Sequence, residues 1–315
     1  MTRKTTLPTT VMLAIWQVPG LGQAKLRELL NNLPTTPGAE LWKTAESLFP
    51  KLISASDKEQ AEKEAIKILS ACSKNSILVI SALDPEYPEI LREISDWPPL
   101  LFVKGSLKAL KMPCAAVVGT RKAGSRGLKA AGAIASLLAK NGFCVVSGLA
   151  IGIDTAAHKA TIAAGGKTIA VMGHGLDIIT PLSNTGLALS ILETGGALIS
   201  EHPPGMPPIA SEFVRRNRLQ SGLSSFSVIV ESGMEGGAMH QARFTVKQGK
   251  DLLVVMPEGL SRGQFNLAGA RKLTVEFGAK PIVKLSDLGK YLEISAGKPK
   301  NKKASGTGVQ LGFGW

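Results

Sequence analysis

Between residues 115 and 257 short apolar runs recur at helix-length intervals, and this alternation constrains the fold more than any other feature of the chain. The runs are AAVVG (115–119), CVVSG (144–148), TIAVMG (168–173), ALIS (197–200), SVIVE (227–231) and DLLVVMP (251–257). Each is continuously apolar instead of alternating, which predicts strands buried on both faces, with helical crossovers between them. The pattern predicts an α/β protein with a Rossmann-like, doubly wound, mostly parallel sheet. Ligands of such sheets bind beyond the carboxyl ends of the strands, so function is expected in the residues that follow each run.

Upstream the grammar differs. SILVISAL (76–83) reads as a strand, and DPEYPEILREISDWPPLLFVKGS (84–106) as a proline-broken connection ending in another. Before that, Val11, Ile15, Leu26, Leu29 and Leu30 flank Pro19-Gly20-Leu21-Gly22, which predicts two short helices joined by a tight glycine turn. The turn resembles a helix-hairpin-helix motif, whose backbone amides hold a DNA phosphate; a plain helical hairpin satisfies the same pattern. Residues 56–72 predict a further helix, with Ala61, Ala65, Ile68, Leu69 and Cys72 on its packed stripe. The expected organisation is a small helical domain over 1–75, a core domain over 76–292 and a basic disordered tail over 293–315. The tail reads GKPKNKKASGTGVQLGFGW from residue 297, with four lysines and no acid, and its VQLGFGW tip is a candidate for docking on a partner or on the protein's own surface.

Charge narrows the partners. The 315 residues include 37 Lys and Arg against 24 Asp and Glu, a formal net charge of +13, which favours a polyanion such as nucleic acid. Cys72, Cys114 and Cys144 are odd in number and widely spaced, so they predict buried thiols of a cytoplasmic protein. His158, His174, His202 and His240 lack the spacing of a zinc site, and no apolar run has the length to cross a bilayer.

Familiar catalytic patterns fail on inspection. AGGKTIAV (164–171) contains GKT, yet Thr161 stands where a P-loop needs glycine, and Thr168 opens a strand. GTRKAGSRG (119–127) has its glycines at 119, 124 and 127, which is not the dinucleotide fingerprint. Ser147, Asp154 and His158 invite comparison with a hydrolase triad, but VVSGLA is no nucleophile elbow, and Asp154 is expected to cap a helix.

The strand ends instead supply anion-binding parts. Arg121, Lys122 and Arg126 follow the first core strand, with Ser125 expected as the cap of the next helix. After the second come Gly148, Gly152 and Asp154, a tight path into a helix. FVRRNR (213–218) then places Arg215, Arg216 and Arg218 in the first turns of a helix expected to be capped by Ser211, where the macrodipole already favours negative charge. Arg215 and Arg218, three apart, are expected to share a face and hold phosphate oxygens with their guanidinium forks, while Asn217 braces a loop. For Arg218 the alternative is a structural salt bridge with Glu201, Glu212 or Glu231.

Taken in order, VVGTRKAGSRG, VVSGLAIGIDTAAH, GGKTIAVMGHGLDIITPLSN, LISEHPPG, FVRRNRLQSGLS, VIVESGMEGGAMHQA and GAKPI resemble the motif series of the DNA-processing protein A family, also called DprA or Smf. The resemblance runs from about residue 85 to about 290. It implies a non-enzymatic, cofactor-free cytoplasmic protein that binds single-stranded DNA, forms a homodimer and helps load a RecA-type recombinase during natural transformation. Arg121 falls on the arginine of the family's GSR motif, and Arg215, Asn217 and Arg218 fall on its RNR motif. Gly148, Gly152 and Asp154 fall on SGLAxGID. The chain departs from the family at Gly236–Ala242, where GGAMHQA replaces the usual SGSLxTA, and at Thr180, where relatives carry an aromatic residue. Many relatives end in a winged-helix domain, for which 293–315 is too short. A different class, LOG-like nucleoside-monophosphate phosphoribohydrolases, is similar in its glycine-rich turn and would use Glu231 or Glu235 beside a ribose. Only 5% of residues are aromatic, so phosphate contacts are expected to outweigh base stacking.

Overall fold

In the computed structural model, which describes residues 4–33, 40–258 and 265–295, all six apolar runs become strands of one sheet. The strands are β1 (Ile77–Ser81), β2 (Leu100–Gly105), β3 (Cys114–Val118), β4 (Cys144–Ser147), β5 (Thr168–Val171), β6 (Ala197–Ser200), β7 (Phe226–Ile229), β8 (Asp251–Val255) and β9 (Lys280–Ile282). The first helices are α1 (Leu7–Gln17), α2 (Gln23–Asn31), α3 (Leu41–Leu48) and α4 (Ala55–Lys74). Those of the core are α5 (Ser125–Lys140), α6 (Ile153–Ala163), α7 (Thr185–Glu193), α8 (Ala210–Arg215), α9 (Asn217–Leu223), α10 (Gly237–Lys247), α11 (Ala268–Phe277) and α12 (Gly289–Ser295).

Strand order is β1-β2-β6-β5-β4-β3-β7-β8-β9. The strands from β6 through β3 to β9 pair in parallel, while β2 lies antiparallel to both β1 and β6. Winding starts at β3, proceeds outward through β4 and β5 to β6, and then returns to place β7 on the other side of β3. The carboxyl ends of β3 and β7 therefore flank the topological switch point, where neighbouring connections leave in opposite directions and a crevice opens.

Continuous apolar strands are required because both faces of the sheet are covered. Val117, Val145, Val228 and Leu253 pack on one face with Ile134 and Ala157 of α5 and α6. Their neighbours Val118, Ile229 and Val254 point the other way, against Ala242 and Leu273 of α10 and α11. Each such side chain contributes about 1.5–3 kcal/mol when fully buried.

The N-terminal helices share in this core. Met12, Leu13, Ile15, Leu26 and Leu29 belong to the same buried cluster as Phe102, Ala170 and Leu198 of the sheet. Helix α4 begins at a capping box in which Ser54 and Asp57 satisfy each other's backbone amides, and it buries Ala61, Ala65 and Cys72. The hairpin predicted at 11–30 is present, and Gly20 takes φ +82° in its turn. All three cysteines are free and buried. Among the described residues no helix is long and apolar enough to cross a membrane. The lysine-rich stretch and VQLGFGW lie outside the described residues.

Candidate nucleic-acid interface

A cleft of about 780 Å³ opens at the β3–β7 switch point. Its walls are the loops after β3, β4 and β7, the 180–181 turn, and the junction of α8 with α9. Of the residues singled out in the sequence, Arg121, Lys122, Gly148, Asp154, Arg216 and Asn217 line it; Ser125, Arg126, Gly152, Arg215 and Arg218 do not.

The loop after β3 carries the exposed cations. Arg121 and Lys122 are both exposed, and Arg126 is half-buried in the first turn of α5. Ser125 does not cap this helix. Gly124 occupies the N-cap position and α5 starts at Ser125, without a side-chain capping bond. The capping role falls to Glu231, from the end of β7: its Oε2 accepts from Gly124 N at 3.2 Å, its Oε1 accepts from Asn266 N at 3.0 Å, and its carbonyl accepts from Thr120 N at 2.7 Å. A carboxylate there also complements the positive end of α5. A Cβ on Gly127 would run into that carboxylate, so glycine is needed to let it in. Glu231 is thus committed to bracing the Arg121 loop, whereas Glu235, the other acid of the phosphoribohydrolase reading, is exposed and lines the cleft. The sequence offered an acid at a strand end as the only signal for the bracing role.

The loop after β4 is held just as closely. Gly152 has φ +85°, and a Cβ there would meet the carbonyls of Thr120 and Arg121. It takes the N-cap position expected of Asp154, because the Asp154 carboxylate turns inward and accepts from Gly148 N at 3.0 Å. Ser147 donates its single hydrogen to Val117 O at 2.7 Å and His158 Nδ1 pairs with Thr168, so no triad forms.

FVRRNR departs furthest from the sequence reading. Ser211 is not the cap; Ile209 precedes α8, and the chain breaks at Arg216 before α9 begins. Arg215 and Arg218 do not share an open face. Arg215 is exposed, with Nη1 3.7 Å from Glu212 Oε2 and Nη2 donating to Gln23 Oε1 of α2 at 3.3 Å. Arg218 is 2% exposed and makes a bidentate pair with buried Glu201, at 2.8 and 2.5 Å, while its Nε lies 2.9 Å from Asp96. Burial opposes the Arg218 charge, yet Glu201 and then Asp96 more than offset it and hold its pKa above the ordinary guanidinium value. With both Nη atoms bonded to Glu201 and Nε close to Asp96, Arg218 fills the structural role, fixing α9 to the end of β6. Asn217, expected to brace a loop, instead donates to Gly237 O at 3.1 Å and so ties α9 to the first residue of α10.

Arg216 forms the floor of the cleft. It donates to Val171 O, and its guanidinium fills the space that a Cβ on Gly148 would occupy. With the Gln220 side-chain amide oriented to suit its hydrogen-bond network, its oxygen accepts from Arg216 Nε at 3.2 Å and Nη1 at 2.8 Å. Burial pulls the Arg216 pKa down to about 10; Asp154 works against that pull, and Arg121 adds to it. Asp154 is in turn raised by its own burial, with Arg216 the main opposing influence. Beneath them His158 is held neutral, its pKa pushed down to about 3 by burial and by Arg216. The Thr168 hydroxyl donates its single hydrogen to Val145 O at 2.6 Å, so His158 Nδ1, 2.6 Å away, carries the proton it shares with Thr168. The cleft therefore presents two mutually repelling guanidiniums, Arg121 at the mouth and Arg216 at the floor, partly neutralised by one buried carboxylate.

The family model described as DNA recombination-mediator protein A matches residues 77–293, from the first strand to the last helix. The chain belongs to this family. Among its relatives, protein Smf of Escherichia coli is 43% identical over 169 residues, covering 54% of this chain and 45% of that protein, so the match spans less than half of Smf. The DNA processing protein DprA of Streptococcus pneumoniae is 40% identical over 199 residues, 62% of this chain and 70% of that one. The X-ray structure of the pneumococcal family member superimposes with a TM-score of 0.69 at 29% identity, covering 91% of this chain and 98% of the other. Helicobacter pylori DNA processing protein A, whose single-stranded DNA binding mode has been described structurally, gives 0.61 at 27% identity over 70% of this chain and 97% of its own. The whole cleft lies within the family-matched region, and the pneumococcal coverage reaches beyond it.

Proposed function

We propose that this protein binds single-stranded DNA in the β3–β7 cleft and acts as a recombination mediator, helping to load a RecA-type recombinase onto incoming DNA during natural transformation. The observation that carries this reading is the convergence of Arg121 and Arg216 on one cleft, where they repel each other and an anion between them relieves the repulsion. Lys122 at the mouth extends the positive surface, and Arg215, beside α2, lies on a further basic approach. Arg218 is left out of the DNA contact, and Gly148 contributes by making room for Arg216. The family membership and the single-stranded DNA binding of the Helicobacter relative point the same way.

The test is an anisotropy titration of labelled single-stranded and duplex DNA of equal length at two salt concentrations, with wild type and Arg121→Ala. A single-strand preference weakened by salt and by the substitution is expected; affinity indifferent to both would sink the phosphate cleft. Mediator activity is read separately, as faster RecA filament assembly on single strands coated with single-strand-binding protein. Light scattering in solution tests the proposed homodimer.

A further inference from the structure

Three large aliphatic side chains are exposed on or next to the segments that wall the cleft: Ile151, at 49%, lines it, and Ile178, at 37%, and Leu182, at 81%, flank the lining residues Thr180 and Pro181 in the chain. One polar clamp brings them together. Buried Asn184 donates from Nδ2 to Leu149 O at 2.7 Å and to Thr155 Oγ1 at 2.9 Å, tying the 178–184 segment to the turn that carries Ile151. Ile151, Thr180 and Pro181 line the cleft, so these segments adjoin the surface that holds Arg121. Neither segment, 149–153 or 178–184, contains a charged residue. Asp177, next in the chain, has its carboxylate occupied by the Gly205 amide at 3.0–3.1 Å.

Single exposed apolar residues are ordinary on a protein surface, but three around the mouth of a cationic cleft form a patch with a direction. Three side chains offer only a fraction of the roughly 800 Å² per partner that a stable protein interface buries. An unstacked nucleotide matches the patch better, with a charged phosphate on one side and an apolar base face on the other. We infer that Ile151, Ile178 and Leu182 are the base-contacting edge of the cleft, against which unpaired bases lie while their phosphates sit at Arg121 and Lys122. This rests on the DNA-binding reading above. An aliphatic edge carries no hydrogen-bond code, so it reads the availability of unpaired bases and not their identity.

The experiment compares an oligothymidylate with an abasic tetrahydrofuran oligomer of equal length and charge, at one ionic strength, using the full chain. Wild type is expected to bind the abasic strand about fivefold more weakly, the low end for a base platform. The double variant Ile151→Ser, Leu182→Ser is expected to bind both strands at the abasic level; its unchanged abasic affinity reports that the fold and phosphate contacts survive. Equal wild-type affinity for the two strands overturns the base edge and leaves the phosphate cleft standing. A double variant that keeps the full discrimination assigns the bases elsewhere, and one that weakens both strands alike has lost phosphate contacts; each overturns the inference. Absence of wild-type binding to either strand removes the DNA-binding reading and the base edge with it.

Discussion

The Arg121 loop and the α8–α9 junction carry the same side chain to opposite ends. At the loop, Arg121 and Lys122 stand in water on a backbone pinned from below by Glu231 and Gly152. At the junction, Arg216 and Arg218 are buried, one donating to a strand-end carbonyl and the other locked to Glu201 and Asp96. The first region can exchange water for phosphate at little structural cost. The second has committed Arg218 to folding, while Arg216, anchored on the Val171 carbonyl, still lines the cleft floor. Arginine-rich motifs are therefore not uniformly binding surfaces: what separates the two regions is whether the fold supplies a buried carboxylate or carbonyl to each guanidinium.

The contrast breaks most visibly at Arg218. Replacing it with Ala leaves Glu201 buried without its partner, and the expected loss is about 3–5 kcal/mol of stability, read as a lowered urea midpoint. A change below about 1 kcal/mol would mean that the pair is not the structural tie described here. Next comes Gly148→Ala, which forces a methyl into the Arg216 guanidinium and is expected to destabilise by about 1–3 kcal/mol. Gly186→Ala, in α7 with open space around it, is the control and should be neutral or slightly stabilising.

The buried side of the comparison also predicts a pH dependence. His158 has a folded pKa of about 3 against an ordinary 6.5, so only the unfolded chain takes up its proton between those values. Its stabilising contribution is complete above about pH 6.5 and is lost as pH falls toward 3, amounting to about 2 kcal/mol lost by pH 5. Unfolding midpoints of wild type and His158→Gln at pH 7 and pH 5 measure this, and the variant should show the shallower decline. Smallest in stability are Arg121→Ala and Arg215→Ala, each expected within about 0.5 kcal/mol of wild type. Their effect should appear in DNA binding, where each substitution lowers the salt-dependence slope by about 1. A variant with unaltered slope would move that arginine to the structural group.

Strands β3 to β8 were legible because burial on both faces writes itself as an uninterrupted apolar run. The directions of β1 and β2 were not, since a run of Ile and Val reads the same parallel or antiparallel. Strand β9 is three residues long and holds Pro281 at the sheet edge, too little for any periodicity. The cap assignments to Ser125, Asp154 and Ser211 all failed. Capping preference is local, whereas Glu231 is brought to the start of α5 from the end of β7 and the Asp154 carboxylate is drawn to the Gly148 amide; at α8 the helix simply begins ahead of Ser211, after Ile209.

From its sequence alone this protein is a doubly wound α/β chain of the DNA recombination-mediator protein A family, with cations at its strand ends. Apolar periodicity and local motifs are properties of neighbouring residues, so the chain states them directly. Which cation faces solvent depends on partners far away along it: Glu201 lies 17 residues from Arg218, and Val171 lies 45 from Arg216. Only the folded sheet brings those groups within hydrogen-bonding distance, and so only the tertiary structure decided which arginines hold the protein together and which remain for a ligand.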